Sequence, residues 1–443
     1  MEAPEPRLSS PTRRDLLRAA LAAPLIVPAH VLGGPHGQAP SERIVMGFIG
    51  VGSMGGGHLR AFLQMPETRV AAICDVRQET RERAKANVDR QYGDTACKTY
   101  HDFRELLANP EIDAVLIATP ENWHPLIGIE AARRGKHMYY EKPLSTTLME
   151  GRAVRQAIER YGVVFQFGTQ QRSSYNYRFA AELVRNGHIG ELRQIYIGSA
   201  GGGYSRDQNE DLKEPPAGFD YDMWLGPAPW VPYSDVRVSR SWMFIRDYGI
   251  GCLDGAWGIH DVDAAQFFND TDHTTPIEVE GRARYFEDVR DVPYSWTVEH
   301  KYANGVTLVH MDLLSAKARV PQFQNGSMAS VLVGTKGWIW VSRDGLRMDP
   351  PSLMQTVIRP AEKRVIFSND HRRNFLDAIR TRRKTISPID SAFRSEAICQ
   401  QADIAMRLER KLRWDPKTDT FIGDDRANRM LTRAIRGPWQ YSV

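Results

Sequence analysis

The sequence of 443 residues has few cysteines, little net charge and no internal repeat. Its four cysteines form no C-x-x-C motif and lack the histidine spacing of a zinc site, so we predict no metal and expect buried thiols such as Cys74. The formal charge is only +4 and no basic block concentrates it, which gives nucleic-acid binding no support. The length suits two or three globular domains.

Long apolar runs are also lacking after the N-terminal region. In that region Arg13 and Arg14 precede an alanine- and leucine-rich run over residues 19–32, which is typical of a twin-arginine export signal. We therefore predict a signal and linker over residues 1–42 and a periplasmic or otherwise exported protein. An amphipathic helix start is the alternative. No later run approaches the ~20 apolar residues of a membrane helix, so we predict no transmembrane span beyond a signal that stays uncleaved.

A glycine-rich turn follows the first apolar segment of the body. Residues 44–49 predict a buried strand, and Gly50, Gly52 and Gly55 then give G-x-G-x-x-G before a helical stretch. The first glycine allows a tight turn, the second lets the backbone approach a pyrophosphate, and the third allows the helix to pack closely on the strand. The pattern predicts a dinucleotide site at a helix N-terminus, with a structural turn as the alternative.

A carboxylate stands where such a site needs one. A second apolar strand over residues 69–74 ends in Asp75, the position from which a carboxylate binds the adenosine ribose hydroxyls. Asp75 would repel a 2′-phosphate, so the sequence favours NAD over NADP. Arg77 is close enough in sequence to leave NADP open.

Strands and helices alternate up to residue 167, and longer alternating segments with hairpin turns follow. The first pattern predicts a doubly wound parallel sheet over residues 43–167 that binds ligands at the carboxyl ends of its strands. The second predicts an α+β domain with a large, mostly antiparallel sheet over residues 168–443. We also expect residues 201–219 to help shape the pocket.

Glu141, Lys142 and Pro143 end a predicted strand at that ligand-binding edge. Lys142 is suited to exchanging a proton with a substrate hydroxyl, and Pro143 stiffens the turn that carries it. A surface Glu-Lys pair before a turn is the alternative.

His260 lies at a predicted helix start with Asp254, Asp261 and Asp263 nearby, and could act as an acid or base. A histidine in an aromatic context such as that of Trp257 is more often a satisfied core residue. Metal binding is disfavoured because neighbouring helical residues point in different directions.

A further cluster comprises residues 168–172 with Tyr175 close behind. Its polar and aromatic side chains suit the hydroxyls and rings of a sugar. A domain linker is the equal alternative.

Together these motifs resemble the Gfo/Idh/MocA oxidoreductase family. The resemblance rests on the glycine turn, on Ala118-Thr119-Pro120 with Asn122 and His124, on Glu141-Lys142-Pro143, and on the segment ending in His260. It implies a Rossmann domain joined to an open-sheet domain, and a homo-oligomer, a dimer or tetramer. It also implies that Lys142 and His260 face the substrate hydroxyl, with Arg172, Tyr175 and Trp257 along the sugar pocket. The implied cofactor contacts are Gly50, Gly52, Ser53, Met54, Gly55, Asp75, Thr119, Pro120, Asn122, His124, Glu141 and Lys142.

One position departs from the family pattern. Many members carry an aspartate four residues before the catalytic histidine, where this sequence has Ala256. Either Lys142 and His260 suffice, or Asp254 or Asp261 takes over, or the activity has shifted.

The resemblance implies an exported NAD(P)-dependent oxidoreductase, with tightly bound cofactor, that acts on a sugar, glycoside or cyclitol. A redox-neutral glycoside hydrolase or lyase working through a keto-sugar is the first alternative. A non-catalytic nucleotide- or sugar-binding protein is the second.

Overall fold

The computed structural model describes residues 42–201, 209–323 and 328–441. The chain divides into two units, Met1–Arg43 and Ile44–Val443. The predicted export signal belongs to the first unit, nearly all of which lies outside the described residues.

Short apolar strands alternate with helices through the first part of the second unit. The strand that opens it is buried at almost every position, as a strand covered on both faces requires. The elements in order are β1 (Ile44–Ile49), α1 (Ser53–Leu63), β2 (Thr68–Cys74), α2 (Gln78–Tyr92), β3 (Lys98–Tyr100), α3 (Phe103–Ala108), β4 (Ala114–Ile117), α4 (His124–Arg133), β5 (His137–Tyr140), α5 (Leu148–Tyr161), β6 (Phe165–Phe167) and α6 (Tyr175–Arg185). Two 3-10 turns, Glu121–Trp123 and Gln170–Ser173, follow β4 and β6.

These six strands form one parallel sheet with the order β3-β2-β1-β4-β5-β6. The order reverses direction between β1 and β4, so the loops that leave these two strands separate and open a crevice at the carboxyl edge. Doubly wound sheets bind their ligands at such a crevice. The predicted parallel sheet is therefore confirmed, and its binding edge lies where the glycine turn begins.

Longer strands dominate the second part of the unit. The elements are β7 (Leu192–Ser199), α7 (Tyr221–Leu225), α8 (Asp235–Val238), α9 (Gly258–Asn269), β8 (Glu278–Tyr285), β9 (Pro293–Lys301), β10 (Thr307–Asp312), α10 (Leu313–Arg319), β11 (Ala329–Gly334), β12 (Trp338–Val341), β13 (Leu346–Asp349), α11 (His371–Thr381), α12 (Ile389–Leu408), β14 (Leu412–Asp415), β15 (Thr420–Phe421) and α13 (Asp425–Arg429). The 3-10 turns are Arg240–Phe244, Gly251–Leu253, Pro321–Phe323 and Pro351–Gln355.

The nine strands of this part form a second sheet with the order β13-β12-β11-β7-β10-β9-β8-β14-β15. Every neighbouring pair is antiparallel except β7 and β10, which run parallel at its centre. Helices α9 and α12 pack against each other, α9 also lies against β7, and α12 lies against β8. Both helices are buried along almost their whole length because α9 also packs against α6 and α12 also packs against α5.

The predicted largely antiparallel sheet is confirmed, and it contains more strands than the alternating segments of the sequence indicate. Strands β12 to β15 are only two to four residues long, too short for a period-2 pattern to show. All four cysteines are free and buried, as expected. Across the described residues, no helix combines the length and apolarity that crossing a bilayer requires.

Candidate active site

The glycine turn after β1 has the close approaches that its sequence predicts. Gly50 has a φ of +80°, and a Cβ there would stand 2.5 Å from the carbonyl oxygen of Ala118. A Cβ on Gly55 would stand 2.0 Å from the Gly50 oxygen. A Cβ on Gly52 would meet no heavy atom within 4 Å. The chain needs the first and last glycines for its own packing, whereas the space beside Gly52 is open.

Helix α1 begins at Ser53, and no side chain caps its first turn. Its N-terminal N–H groups and the positive end of its dipole are therefore available to an anion. Ser53 and Met54 are both exposed at this end.

Asp75 lies beside this turn at the end of β2. The backbone N–H groups of Val51 and Arg77 donate to its two carboxylate oxygens at 3.0 and 2.9 Å. Burial raises the pKa of Asp75, and these backbone hydrogen bonds oppose the rise. The Arg77 guanidinium lies over the ring of Phe219, 3.9 Å from its centroid. Asp75 and Arg77 both line the cleft, and the stacking on Phe219 fixes the direction of the Arg77 side chain.

A cleft of about 420 Å³ runs along this edge of the parallel sheet. Most of the predicted cofactor contacts line it together: Gly50, Gly52, Ser53, Met54, Asp75, Thr119, Pro120, Glu141 and Lys142. The hydroxyl of Thr119 is buried and has no hydrogen-bond partner in the described part of the chain, so it is free to bind a ligand.

Asn122 and His124, also predicted as cofactor contacts, do not line the cleft. The Asn122 amide is fully buried and donates to the carbonyl oxygen of Leu225 at 2.9 Å. The His124 ring lies 2.7 Å from the carbonyl oxygen of Pro143 and 3.0 Å from that of Thr119. In this structure both side chains thus hold the backbone that forms the cleft, while the Asn122 Oδ1 atom is buried without a partner among the described residues.

Glu141 and Lys142 occupy the wall of the cleft. Arg372 donates to Nδ1 of His58 at 3.0 Å, so the other ring nitrogen of His58 donates to Glu141 at 2.7 Å. Burial acts to raise the pKa of Glu141, but this hydrogen bond and the charge of Lys142 outweigh burial and hold the pKa at about 2. Lys142 Nζ donates to the carbonyl oxygen of Gly255 at 2.6 Å. The lysine is therefore anchored between the parallel sheet and the segment that leads to α9.

His260 lies in the first turn of α9 and is 4% exposed. Burial, and then the charge of Lys142, lower its pKa well below the usual value, so the ring is neutral. Its Nδ1 is buried without a partner among the described residues. The half-buried Trp257 ring lies 6.3 Å from the His260 ring, centroid to centroid, and Arg343 covers Trp257. The charge of Lys142 thus acts on the His260 ring, but neither His260 nor Trp257 lines the cleft in this structure.

The two candidate replacements for the missing aspartate lie away from the cleft. Asp254 is fully buried, and burial, followed by the charges of Glu396 and Glu121, raises its pKa well above the usual value. Asp261 accepts a hydrogen bond from Ser199 at 2.6 Å, and burial raises its pKa to about 7. Neither carboxyl lines the cleft, so the structure does not bring either of them to the side chain of Lys142 at the cleft wall.

Arg172 is also placed differently from the prediction. Its side chain is 2% exposed and forms ion pairs at 2.7 Å with Asp263 and Asp272. The guanidinium group donates its hydrogen bonds to these two carboxylates, so Arg172 stabilises the start of the second domain and does not line the cleft. Tyr175 is 62% exposed and stacks on Phe179, outside the cleft.

A strap from the second domain, residues 218–243, covers the outer side of the cleft, and sequence reasoning placed none of its lining residues. Asp220 accepts from His101 at 2.8 Å, and Trp123 donates to the Met223 carbonyl at 2.9 Å. Arg436 in turn donates to the Gly226 carbonyl at 2.9 Å. The strap residues that line the cleft are Met223, Trp224, Val238, Ser239, Arg240, Trp242 and Met243. Of the segment 201–219 expected to shape the pocket, residues 202–208 lie outside the described residues.

Glu121 is a further cleft residue that sequence reasoning missed. It opens the 3-10 turn after β4, is 2% exposed and lines the cleft beside Lys142. The only signal was its place in the loop that leaves β4, between two residues predicted to contact cofactor.

Two family models match adjacent parts of the chain. One, described as the NAD-binding Rossmann fold of an oxidoreductase family, matches residues 44–169. The second, described as the C-terminal alpha/beta domain of an oxidoreductase family, matches residues 172–441.

Curated relatives match over a shorter stretch. The uncharacterized oxidoreductase YrbE of Bacillus subtilis is 33% identical over 161 residues, 36% of this chain and 45% of that protein. An alpha-N-acetylgalactosaminidase of Shewanella oneidensis is 34% identical over 162 residues, 35% of this chain and 34% of that protein. The chain thus matches less than half the length of these relatives.

Solved structures share the fold over a larger part of the chain. The WlbA dehydrogenase from Bordetella pertussis, solved with NADH and UDP-GlcNAcA, superposes with a TM-score of 0.63 at 17% identity. The match covers 84% of this chain and 99% of that one.

Proposed function

Because the chain belongs to the Gfo/Idh/MocA oxidoreductase family, we propose that it is an NAD-dependent oxidoreductase acting at a hydroxyl-bearing carbon of a sugar, glycoside or cyclitol. The observation that carries the proposal is the position of Lys142, which lines the same cleft as the glycine turn and is held there by its hydrogen bond to the Gly255 carbonyl oxygen. Oxidation of an alcohol requires a group that takes the hydroxyl proton, and an amine fixed at the edge of a dinucleotide cleft can do so.

The residues of the cleft fit a dinucleotide. Gly52 leaves open space where a Cβ would otherwise stand, and the uncapped start of α1 faces it. These groups would hold the pyrophosphate, Asp75 the ribose hydroxyls, and the unpartnered hydroxyl of Thr119 a polar group at the other end. A bound dinucleotide supplies the acceptor for the hydrogen and electron pair that leave the substrate carbon. Because Asp75 ends β2 at the cleft and its carboxylate would repel a 2′-phosphate, we propose NAD rather than NADP, although Arg77 also lines the cleft.

Lys142 and His260 have separate tasks in this proposal. Lys142 exchanges the proton of the substrate hydroxyl. His260, kept neutral by burial and by the charge of Lys142, hydrogen-bonds the same oxygen and orients it. The alanine at position 256 leaves this pair without the third group that many family members carry.

We further propose that the cofactor stays bound through turnover. The strap fixes Met223, Trp224 and Trp242 over the cleft and is itself tied to the loops after β3 and β4. A covered cofactor exchanges slowly with solution, so each oxidation must be balanced by a reduction within the same protein. Reduction of a second sugar meets this need, and so does re-reduction of a keto intermediate.

The second way of closing the cycle defines an alternative function, a redox-neutral glycoside hydrolase or lyase. The relative described as an alpha-N-acetylgalactosaminidase supports it. Cleavage by elimination breaks a C–H bond next to the keto carbon, so turnover in D₂O would place deuterium there. Simple dehydrogenation would leave that position unlabelled, and the labelling pattern therefore separates the two functions.

The first experiment is to purify the protein with no nucleotide added, denature it and identify what is released. We expect close to one NAD per chain. A protein that is empty and also fails to bind added NAD or NADP would refute both enzyme proposals and leave a binding protein.

The second experiment tests Lys142 directly. Lys142→Ala should keep its bound nucleotide and lose turnover of a panel of hexoses and methyl glycosides by about 100-fold or more. Lys417→Ala, an exposed lysine in the turn between β14 and β15, is the matched control and should behave as wild type. Unchanged turnover in Lys142→Ala would remove the lysine from the mechanism.

Two parts of the proposal rest on the sequence and the family resemblance alone. Export through the twin-arginine signal over residues 1–42 would deliver a folded protein with its cofactor already loaded; fusing this segment to a reporter tests it. Assembly as a homo-dimer or tetramer is tested by light scattering on the purified protein.

A further inference from the structure

The surroundings of Glu121 indicate that its carboxyl group has a role in the chemistry of the cleft and not only in packing. A Cβ on Gly255 would stand 1.7 Å from its Oε1, and one on Gly249 would stand 2.6 Å from its Oε2. Two glycines from the second domain therefore make the room in which this carboxyl lies. Because any larger side chain at either position would displace Glu121, the cleft wall is shaped around it.

The Glu121 carboxyl is nevertheless poorly satisfied. The backbone N–H of Ile250 contributes a hydrogen bond, but Oε2 is buried without a partner in the described ranges. A buried carboxylate without partners is costly, so such a group either takes up a proton or faces a ligand. Burial raises the pKa of Glu121 to about 8, with Lys142 opposing the rise and Glu396 adding to it.

Lys142 and Glu121 flank the same glycine. Lys142 Nζ donates to the carbonyl oxygen of Gly255, and Glu121 packs against the α-carbon of that residue. Of the other acids lining the cleft, Glu141 is engaged with His58 and Asp75 with two backbone N–H groups. Glu121 is thus the acid at the lysine's side of the cleft that has capacity to exchange a proton.

On the basis of the function proposed above, we propose that Glu121 is the proton partner of Lys142, a positioning residue that supplies the carboxyl group missing at Ala256. In this proposal Glu121 is a carboxylate while the oxidised cofactor is bound, and Lys142, which donates to the Gly255 carbonyl oxygen in this structure, turns toward it. The Lys142 ammonium then gives a proton to the Glu121 carboxylate, and the resulting amine takes the proton of the substrate hydroxyl as the O–H bond breaks. The C–H hydrogen leaves with its electron pair to the dinucleotide. When the keto group is reduced again, the same proton returns through Lys142 to oxygen.

The charge balance of the cleft favours this exchange. An oxidised nicotinamide is positive and stabilises a nearby carboxylate, whereas the reduced ring is neutral and does not. The protonation of Glu121 should therefore follow the redox state of the cofactor. The other titratable groups that face Glu121 are Lys142 after β5, Cys252 and Asp254 from the 3-10 turn before α9, and Glu396 from α12.

Infrared difference spectroscopy on nucleotide-loaded protein tests this inference without a substrate. Wild type loaded with NADH should show the absorption of one more protonated carboxyl than wild type loaded with NAD⁺ at the same pH. The difference should vanish in Glu121→Gln and persist in Glu111→Gln, an exposed control. A band that persists in Glu121→Gln, or that does not depend on the redox state, overturns the inference alone. Failure of wild type to bind either nucleotide overturns the proposed function and the inference with it.

The pH profile of turnover provides the second readout. We expect Glu121→Gln to retain nucleotide and melting midpoint, to turn over about 100-fold more slowly, and to lose the limb of the profile that reports Glu121. Glu121→Asp keeps a carboxyl and should recover part of the rate. A profile in Glu121→Gln that matches wild type in shape, with the rate merely lowered, would assign Glu121 a structural role.

Discussion

Replacing Gly52 by alanine should abolish tight nucleotide binding and leave the fold intact, whereas the same replacement at Gly55 should damage the fold. A methyl group at Gly52 meets no protein atom within 4 Å, so the chain itself tolerates it. A methyl group at Gly55 lies 2.0 Å from the Gly50 carbonyl oxygen, so α1 must move away from β1. Two positions in one turn thus separate binding from stability.

The expected magnitudes follow from what each methyl group displaces. At Gly52 it pushes a pyrophosphate away from backbone donors, and a hydrogen bond to a charged group contributes about 1.5–3 kcal/mol, so Kd should rise about 10- to 100-fold. At Gly55 overpacking against backbone should cost about 1–3 kcal/mol of the free energy of unfolding.

NADH titrations of nucleotide-stripped protein and urea unfolding should be run on both variants and on wild type. Gly57→Ala is the control within the same helix, because its nearest neighbour is the flexible end of Arg60 at 3.9 Å. Wild-type affinity in Gly52→Ala would refute the assignment of this turn to the pyrophosphate. An equal loss of stability in Gly52→Ala and Gly55→Ala would refute the claim that only Gly55 is needed for the packing of α1 on β1.

Three further predictions concern residues that do not line the cleft. Burial, with the charge of His310 adding to it, lowers the pKa of His300 to about 3. The neutral His300 ring therefore contributes its full stabilisation above pH 6.5. The free energy of unfolding falls by about 1.4 kcal/mol per pH unit as the pH drops from there toward 3. Urea unfolding at pH 7.5 and 5 should show that His300→Leu removes this part of the acid sensitivity; an unchanged pH dependence would contradict it. Arg172→Met should destabilise the fold by about 3–5 kcal/mol because it leaves Asp263 buried and unpaired, and it should leave the sugar KM of the folded fraction unchanged; a raised KM would return Arg172 to the sugar pocket. Arg436→Ala removes hydrogen bonds to Gly226 and Asp222, so release of bound NADH, followed by fluorescence during a chase with NAD, should accelerate several-fold; an unchanged rate would show that the strap does not hold the cofactor.

The sequence was most informative where local pattern and position agree. The apolar run predicted over residues 44–49 became β1 with the same bounds, because a strand buried on both faces leaves a continuous apolar signal. The carboxyl edge of the parallel sheet then brought Thr119, Glu141 and Lys142 into one cleft with the glycine turn. These assignments needed only the chain order and the rule that parallel strands present their ends together.

The roles of other polar residues could not be read from the sequence, because they depend on partners far along the chain. Asn122 lies between cofactor-contacting positions, yet its partner is Leu225 on the strap. Arg172 belongs to a segment predicted to bind sugar, yet its guanidinium forms ion pairs with Asp263 and Asp272. Glu121 escaped notice because the two glycines that make room for it are more than a hundred residues away in the chain. Spacing places a residue on a strand or loop, and only packing determines which neighbour it meets.

The parallel pairing of β7 with β10 has a consequence for how the protein is assembled. Gln194 pairs with Thr307, so the centre of the second sheet cannot form until a long intervening segment has been gathered in, whereas the first sheet is built mostly from strands adjacent in sequence. Structures with local contacts form faster than those that must close long loops. We therefore expect the glycine turn to mature early, while the strap is still uncommitted. The nucleotide cleft would then gain its outer wall last.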